Sequence, residues 1–107
     1  MLAPKANQPL RIAAGRVAAL MKTLANEDRL LLLCQLVDSE LCVSDFTART
    51  GLVQPTLSQQ LGVLRNDGLV TTRRDGKRIY YRLESPEVIR ILQLLSELYC
   101  PTPGAPS

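Results

Sequence analysis

Apolar residues near the start of the chain recur at helical spacing. Leu10, Ala13, Ala14, Val17, Leu20, Met21 and Leu24 form one stripe, with Arg11, Arg16 and Lys22 off it, which predicts a helix over 10–24. Asn26 reads as the N-cap of a second helix whose first turn holds Glu27 and Asp28, where negative charge suits the helix dipole. From Arg29 to Val37 that helix is apolar on nearly every side, which predicts burial on nearly every side. Asp38-Ser39-Glu40 is a break. A short helix follows over 44–50, with Ser44 as N-cap and Gly51 suited to its C-terminal end. The next helix opens at Gln54, with Pro55 in the first helical position, and stops at Gly68. Its apolar residues Leu57, Leu61 and Leu64 make one narrow inward stripe, opposite a polar face.

The period then changes to two. Residues 69–74 read as a strand, Asp75-Gly76 as a hairpin turn and residues 78–83 as the returning strand. Ser85 caps a last helix with Pro86 at its first position. That helix carries Val88, Ile91, Leu92, Leu95, Leu98 and Tyr99 and ends at Cys100-Pro101. Two short helices joined by Gly51-Leu52-Val53 make a helix-turn-helix, and the hairpin beside them makes a wing. The predicted fold is therefore mainly α with a β-hairpin (α+β), a winged helix-turn-helix of order α-α-α-α-β-β-α. Residues 1–9 read as a flexible arm, 10–100 as one domain for DNA binding and dimerisation, and the Pro-rich residues 101–107 as a disordered tail.

Composition narrows the function. The chain has 107 residues, 46% of them hydrophobic and 21% charged, which fits one folded domain and argues against disorder. It contains no His, so His-based triads, His general bases and His-containing zinc sites are excluded. Glu27 and Asp28 read as helix-start charges and Glu84 and Glu87 flank a cap, so no carboxylate pair suggests an enzyme and no cofactor is expected. No apolar run reaches the roughly 18 residues of a membrane span, and the N-terminus lacks a signal-peptide core, so a cytoplasmic protein is expected.

The net charge is only +3, but it is unevenly placed. Between Arg65 and Arg82 there are six basic and two acidic residues, whereas the other 89 residues hold seven basic and eight acidic ones. The excess sits on the hairpin, beside a helix whose outer face offers Gln54, Thr56, Ser58, Gln59 and Gln60, with Arg65 further along. Amide and hydroxyl groups bond base edges, and basic side chains bond phosphates. Gln54, Thr56, Ser58, Gln59, Gln60, Arg65, Arg73, Arg74, Lys77 and Arg78 are accordingly the expected DNA-binding residues, the last four clustering at the wing tip. The first and last helices are both rich in apolar residues. Ile89, Leu94 and Leu98 add surface that a small domain cannot cover alone, which predicts self-association.

Residues from about Ala14 to Cys100 resemble the ArsR/SmtB winged helix-turn-helix repressors. The resemblance is carried by Leu24-Ala-Asn-Glu-Asp-Arg-Leu30, Glu40-Leu-Cys-Val-Ser-Asp45, Leu57-Ser-Gln-Gln-Leu61, Leu64-Arg-Asn-Asp-Gly-Leu-Val70 and Ile79-Tyr-Tyr81. It implies a homodimer that binds an inverted-repeat double-stranded operator and leaves it on sensing an inducer. The chain departs from the family at Gln60, where the family usually has His, and Gln can still donate to a phosphate. Pro55 is also less usual there.

Three thiols are the candidate sensor atoms. From local chemistry alone Cys42, just ahead of a helix start, ranks first for reactivity. Cys34 lies in a leucine run, where burial disfavours thiolate, and Cys100 lies at a helix C-terminus, whose dipole does the same. The family resemblance points elsewhere. Metal sensors of the family often carry a second Cys two places after Cys42, where this chain has Ser44, and others use His on the last helix, so no metal site is expected. A sub-branch resembling BigR and HlyU has one Cys after a leucine-rich run and one after a Tyr, matched here by Leu33-Cys34 and Tyr99-Cys100. That branch implies sensing of reactive sulfur or oxidants by a disulfide or polysulfide bridge, with Cys34 and Cys100 as the redox-sensing pair. The alternative is a repressor responsive to arsenite or another soft metal through the three thiolates.

Overall fold

In the computed structural model, which describes residues 8–100, the chain forms five helices and a three-stranded sheet. The elements are α1 (Gln8–Leu24), α2 (Glu27–Gln35), β1 (Leu41–Cys42), α3 (Val43–Thr50), α4 (Thr56–Asn66), β2 (Val70–Asp75), β3 (Arg78–Leu83) and α5 (Pro86–Tyr99). The α+β winged-helix expectation is met, with one strand more than the sequence pattern indicated. Residues 101–107 and the first seven residues of the expected arm lie outside the described residues. The first helix begins at Gln8 rather than Leu10, with Pro9 in its first turn, where its missing N–H costs nothing.

Local chemistry explains most of the boundaries. Asn26 Oδ1 accepts from the Arg29 N–H (3.0 Å) and Ser85 Oγ from the Val88 N–H (3.3 Å), so both expected caps are in place. The second helix stops at Gln35 instead of continuing to Val37. Ser44 does not cap α3; Cys42 occupies that position, and its N–H is taken by Asp45 Oδ2 at 3.0 Å. Gly51 ends α3 at φ 77°, the left-handed region that only glycine enters without a Cβ penalty. Pro55 stands one place earlier than expected, as the N-cap of α4. It has no side-chain acceptor to offer, so Gln54 Oε1 accepts the Ser58 N–H instead (3.1 Å).

The sheet order is β1-β3-β2, antiparallel throughout. The register pairs Val70 with Leu83, Thr72 with Tyr81 and Leu41 with Tyr81, so these side chains share the inner face. Asp75 completes β2, leaving Gly76-Lys77 as the two-residue loop. Gly76 is at φ 64°, the first loop position where a type II′ turn needs glycine.

Phe46 sits at the centre of the core with no exposed surface, edge-on to Tyr81 at 6.0 Å between ring centroids. Leu32, Leu33, Leu57, Leu61, Leu64, Val88 and Leu92 belong to the same buried cluster, each stabilising the fold by about 1.5–3 kcal/mol on burial. The expectation that α2 is buried on nearly every side fails for Leu31 and Cys34, which are exposed. The helical stripe of α1 is likewise not a core stripe: only its last turn, Thr23 and Leu24, is buried.

Candidate nucleic-acid interface

The outer face of α4 follows from its inner one. Leu57, Leu61 and Leu64 point into the core, which turns Gln59 and, seven residues on, Asn66 directly outward, with Ser58 and Arg65 on one flank. All four are exposed. Asn66 was absent from the sequence expectation, although the seven-residue spacing from Gln59 would have revealed it. Thr56 and Gln60 lie on the other flank and are half-buried. Gln60 faces the protein: its Oε1 accepts from Arg29 Nη1 at 3.0 Å. Gln54 is exposed, with its carbonyl engaged in the cap already described.

The basic residues of the wing do not form a single cluster at its tip. Strand alternation sends Arg73 and Arg78 to the outer face and Arg74 to the opposite one, beside Ile79. Arg73 is drawn back toward β1 by Glu40, with Nε 2.7 Å and Nη2 2.6 Å from Oε1, and its guanidinium lies 4.8 Å from the Tyr80 ring centroid. Arg74 Nε donates to the Gly76 carbonyl (3.2 Å), which turns it along the loop. Lys77 stands exposed in the loop. Arg82, outside the expected set, is exposed on the same face as Arg73, near Glu84 (3.8 Å).

The thiols divide in two. Cys42 is 3% exposed; its Sγ donates to Asp45 Oδ2 (3.2 Å) and lies 3.2 Å from Ser44 Oγ. Burial removes it from the first rank for reactivity, because so little of the residue meets solvent. Cys34 and Cys100 are both exposed, at the ends of α2 and α5. The Cys34 thiol is pushed above its ordinary value, first by partial burial of the sulfur and then by negative charge on Cys100. Among the described residues no group of three or more His, Cys, Asp or Glu side chains is arranged to hold a metal ion.

The family described as bacterial regulatory protein, arsR family, matches residues 26–72, from the cap of α2 into β2. The biofilm growth-associated repressor of Agrobacterium fabrum is 47% identical over 87 residues, covering 81% of this chain and 74% of that protein. The transcriptional activator HlyU of Vibrio cholerae is 43% identical over 98 residues, covering 92% of this chain and 91% of that one. This chain belongs to the arsR family. Among solved structures, the reduced form of HlyU from Vibrio cholerae superposes with a TM-score of 0.83 at 42% identity, covering 88% of this chain and 99% of that one. The repressor BigR from Xylella fastidiosa gives 0.82 at 42% identity, over 90% and 98%. The arsR-family chain is thus a transcriptional regulator rather than an enzyme, and HlyU and BigR, whose motifs it resembles, are among the proteins it matches. None of its helices, among the described residues, is long and apolar enough to cross a membrane.

Proposed function

We propose that this regulator is a homodimeric repressor that binds an inverted-repeat DNA operator and is released by a sulfur bridge between Cys34 and Cys100. The observation that supports the switch is the division of the thiols: two exposed ones at the ends of α2 and α5, and a third sequestered against Asp45. Reading as a repressor follows the relatives from Agrobacterium and Xylella, which bear that name. The DNA is held by Ser58, Gln59, Arg65 and Asn66 of α4 in the major groove, with Arg74, Lys77 and Arg78 of the wing on phosphates. Thr56 and the amide nitrogen of Gln54 reach the backbone at the helix start, while Arg73 is held back from the phosphates by Glu40. The protein acts in the cytoplasm, where such thiols are held reduced until a specific oxidant arrives.

The dimer is supported by apolar surface that the single chain leaves open. Leu10, Ile12, Val17 and Met21 on α1, and Leu94 and Leu98 on α5, are exposed, Leu98 to 65%. Ile89, expected among them, is instead packed against the core. A soluble monomer rarely leaves so much apolar surface uncovered, and a two-fold interface covers it with itself.

In the reaction, the Cys34 thiolate attacks a sulfane sulfur of an inorganic polysulfide, and the shortened polysulfide leaves. Cys100 thiolate then attacks the inner sulfur of the resulting persulfide, expelling hydrosulfide and closing a disulfide. If the transferred chain is longer, attack one sulfur further out keeps that atom in the bridge. Two electrons pass from the protein thiols to the polysulfide in either case. The bridge pulls the end of α5 against the end of α2 and so alters the placement of the two α4 helices. The three-thiolate alternative for arsenite is disfavoured by the separate, buried environment of Cys42.

The test is duplex binding by the reduced protein, then after polysulfide, peroxide and arsenite separately, with intact-mass measurement. Polysulfide is expected to release DNA and to leave a bridge or added sulfur that Cys34→Ser and Cys100→Ser each abolish. A reduced protein that binds no promoter fragment at low salt, or a wild type that gains no bridge or adduct, overturns the proposal.

A further inference from the structure

We infer that Arg29 is a positioning residue that locks the reading helix α4 to the last turn of α1 and thereby sets the half-site spacing of the operator. The inference rests on the dimeric DNA-binding reading above and names what fixes its geometry.

The joint begins with a helix end. The final carbonyls of α1 have no intrahelical partner, and a cation is favoured at that negative end of the dipole. Arg29 supplies it from α2: Nε donates to the Thr23 carbonyl at 2.7 Å and Nη2 to the Lys22 carbonyl at 3.5 Å. The remaining edge of the same guanidinium donates through Nη1 to Gln60 Oε1 on α4, at 3.0 Å. A guanidinium is planar and its donors are fixed relative to one another, so gripping two elements with one fork leaves little freedom between them. Arg29 is itself anchored, because its backbone N–H is bound by Asn26 Oδ1.

A second strut runs parallel to the first. Thr23 Oγ1 donates to Asp67 Oδ2 at 2.5 Å, and Thr23 is the only polar side chain buried among the described residues. Asp67 is the C-cap of α4. Gln60 and Asp67 are seven residues apart, so they lie on one side of the helix, about 10 Å apart along its axis. Two attachments on one face fix both the roll and the tilt of α4 against α1. Almost all of α1 beyond this turn is exposed, and it bears the apolar face assigned above to the partner copy. The separation of the two α4 helices is then the dimer contact carried through this joint. Gln60 accordingly serves to place the reading face and does not itself read bases.

One base pair inserted at the centre of an operator moves the half-sites apart by about 3.4 Å along the axis. The experiment selects a duplex from a random pool with the wild-type protein. Binding of wild type, Arg29→Lys, Gln60→Met and Thr23→Val is then measured on that duplex and on versions with one central base pair added or removed. Circular dichroism and sedimentation establish that each variant is folded and dimeric, and Gln60→Met, at a half-exposed position, serves if Arg29→Lys does not fold. The wild type is expected to prefer the selected spacing by about tenfold or more, and the variants by less than about threefold, within the range of coupling between linked elements. Folded dimeric variants that discriminate spacing as sharply as the wild type, or a wild type that binds all three duplexes equally, overturn the inference. A wild type that binds no duplex refutes the DNA-binding reading itself, and the joint with it.

Discussion

Arg73 and Glu40, far apart in sequence, make the shortest ion pair among the described residues, with Nη2 2.6 Å from Oε1. The pair ties the wing to the segment entering β1, and it consumes the charge of one of the wing's arginines. The hydrogen bond from Arg73 is the main cause that holds the Glu40 carboxyl below the usual carboxylate range, so the pair is intact at neutral pH. Both side chains meet solvent, so the pair adds little to stability. Its consequence is for DNA. Glu40→Gln is expected to free Arg73 for a phosphate, tightening duplex binding and steepening its salt dependence by about 0.9 in log–log slope, the value of one added phosphate contact. Acid has the same sign: as pH falls through the depressed Glu40 value the carboxyl takes a proton, Arg73 is released and binding tightens. A slope identical in wild type and variant means Arg73 does not reach the backbone.

Gly51 ends α3 with a left-handed conformation and its N–H on the Thr47 carbonyl (2.9 Å). Nothing lies within 4 Å of where a Cβ would stand, so the whole effect of a side chain there is conformational. Gly51→Ala is expected to lose about 1–2 kcal/mol of unfolding free energy in urea. Because the turn it forms sets α3 against α4, duplex binding at a temperature where the variant is fully folded should fall as well. An unchanged urea midpoint contradicts the assigned backbone conformation.

The sequence made the helices legible where caps and periods agree: Asn26, Ser85, Gly51 and the Leu57-Leu61-Leu64 stripe each stand where expected. What escaped it depends on partners distant in the chain. β1 is two residues long, too short to show any period, and exists only because Tyr80 and Tyr81 pair with it. Cys42 looked reactive from its place before a helix, but its burial follows from that pairing and from Asp45 folding back. Gln60 reads as a surface amide in a polar run, and only the approach of Arg29 from another helix turns it inward. The stripe of α1 has the pattern of a core helix, which a pattern cannot distinguish from an apolar face left open to solvent.

Cys34 and Cys100 should report on each other in solution. Burial is the larger cause of the raised Cys34 value and remains in any Cys100 variant, while the charge on Cys100 is the smaller one and is removed by Cys100→Ser. Cys34 in that variant is expected to titrate lower than in wild type yet still above an ordinary thiol. At a fixed pH below this value more of it is thiolate, so alkylation by iodoacetamide should be faster than in wild type, and both rates should rise with pH. Cys42 should stay unmodified in both until the protein unfolds, as read by peptide mass. An alkylation profile for Cys34 that is indifferent to Cys100→Ser contradicts the proximity on which the bridge depends.

Leu98 gives the cleanest test of self-association. It is 65% exposed on the last turns of α5, so a charge placed there in an isolated chain meets water and should change intrinsic stability by no more than a surface substitution does, about 0.5 kcal/mol. In a dimer that covers α5, the same charge is buried without a partner, and it is repeated by the symmetry of the interface. Leu98→Asp is therefore expected to sediment as a folded monomer at concentrations where the wild type is a dimer. Operator binding should fall far more than stability does. Each monomer keeps its own α4 and wing, so residual binding should retain nearly half of the wild-type salt slope while the preference between half-site spacings disappears. A variant that remains dimeric moves the interface off α5, and a wild type that sediments as a monomer removes the dimer altogether.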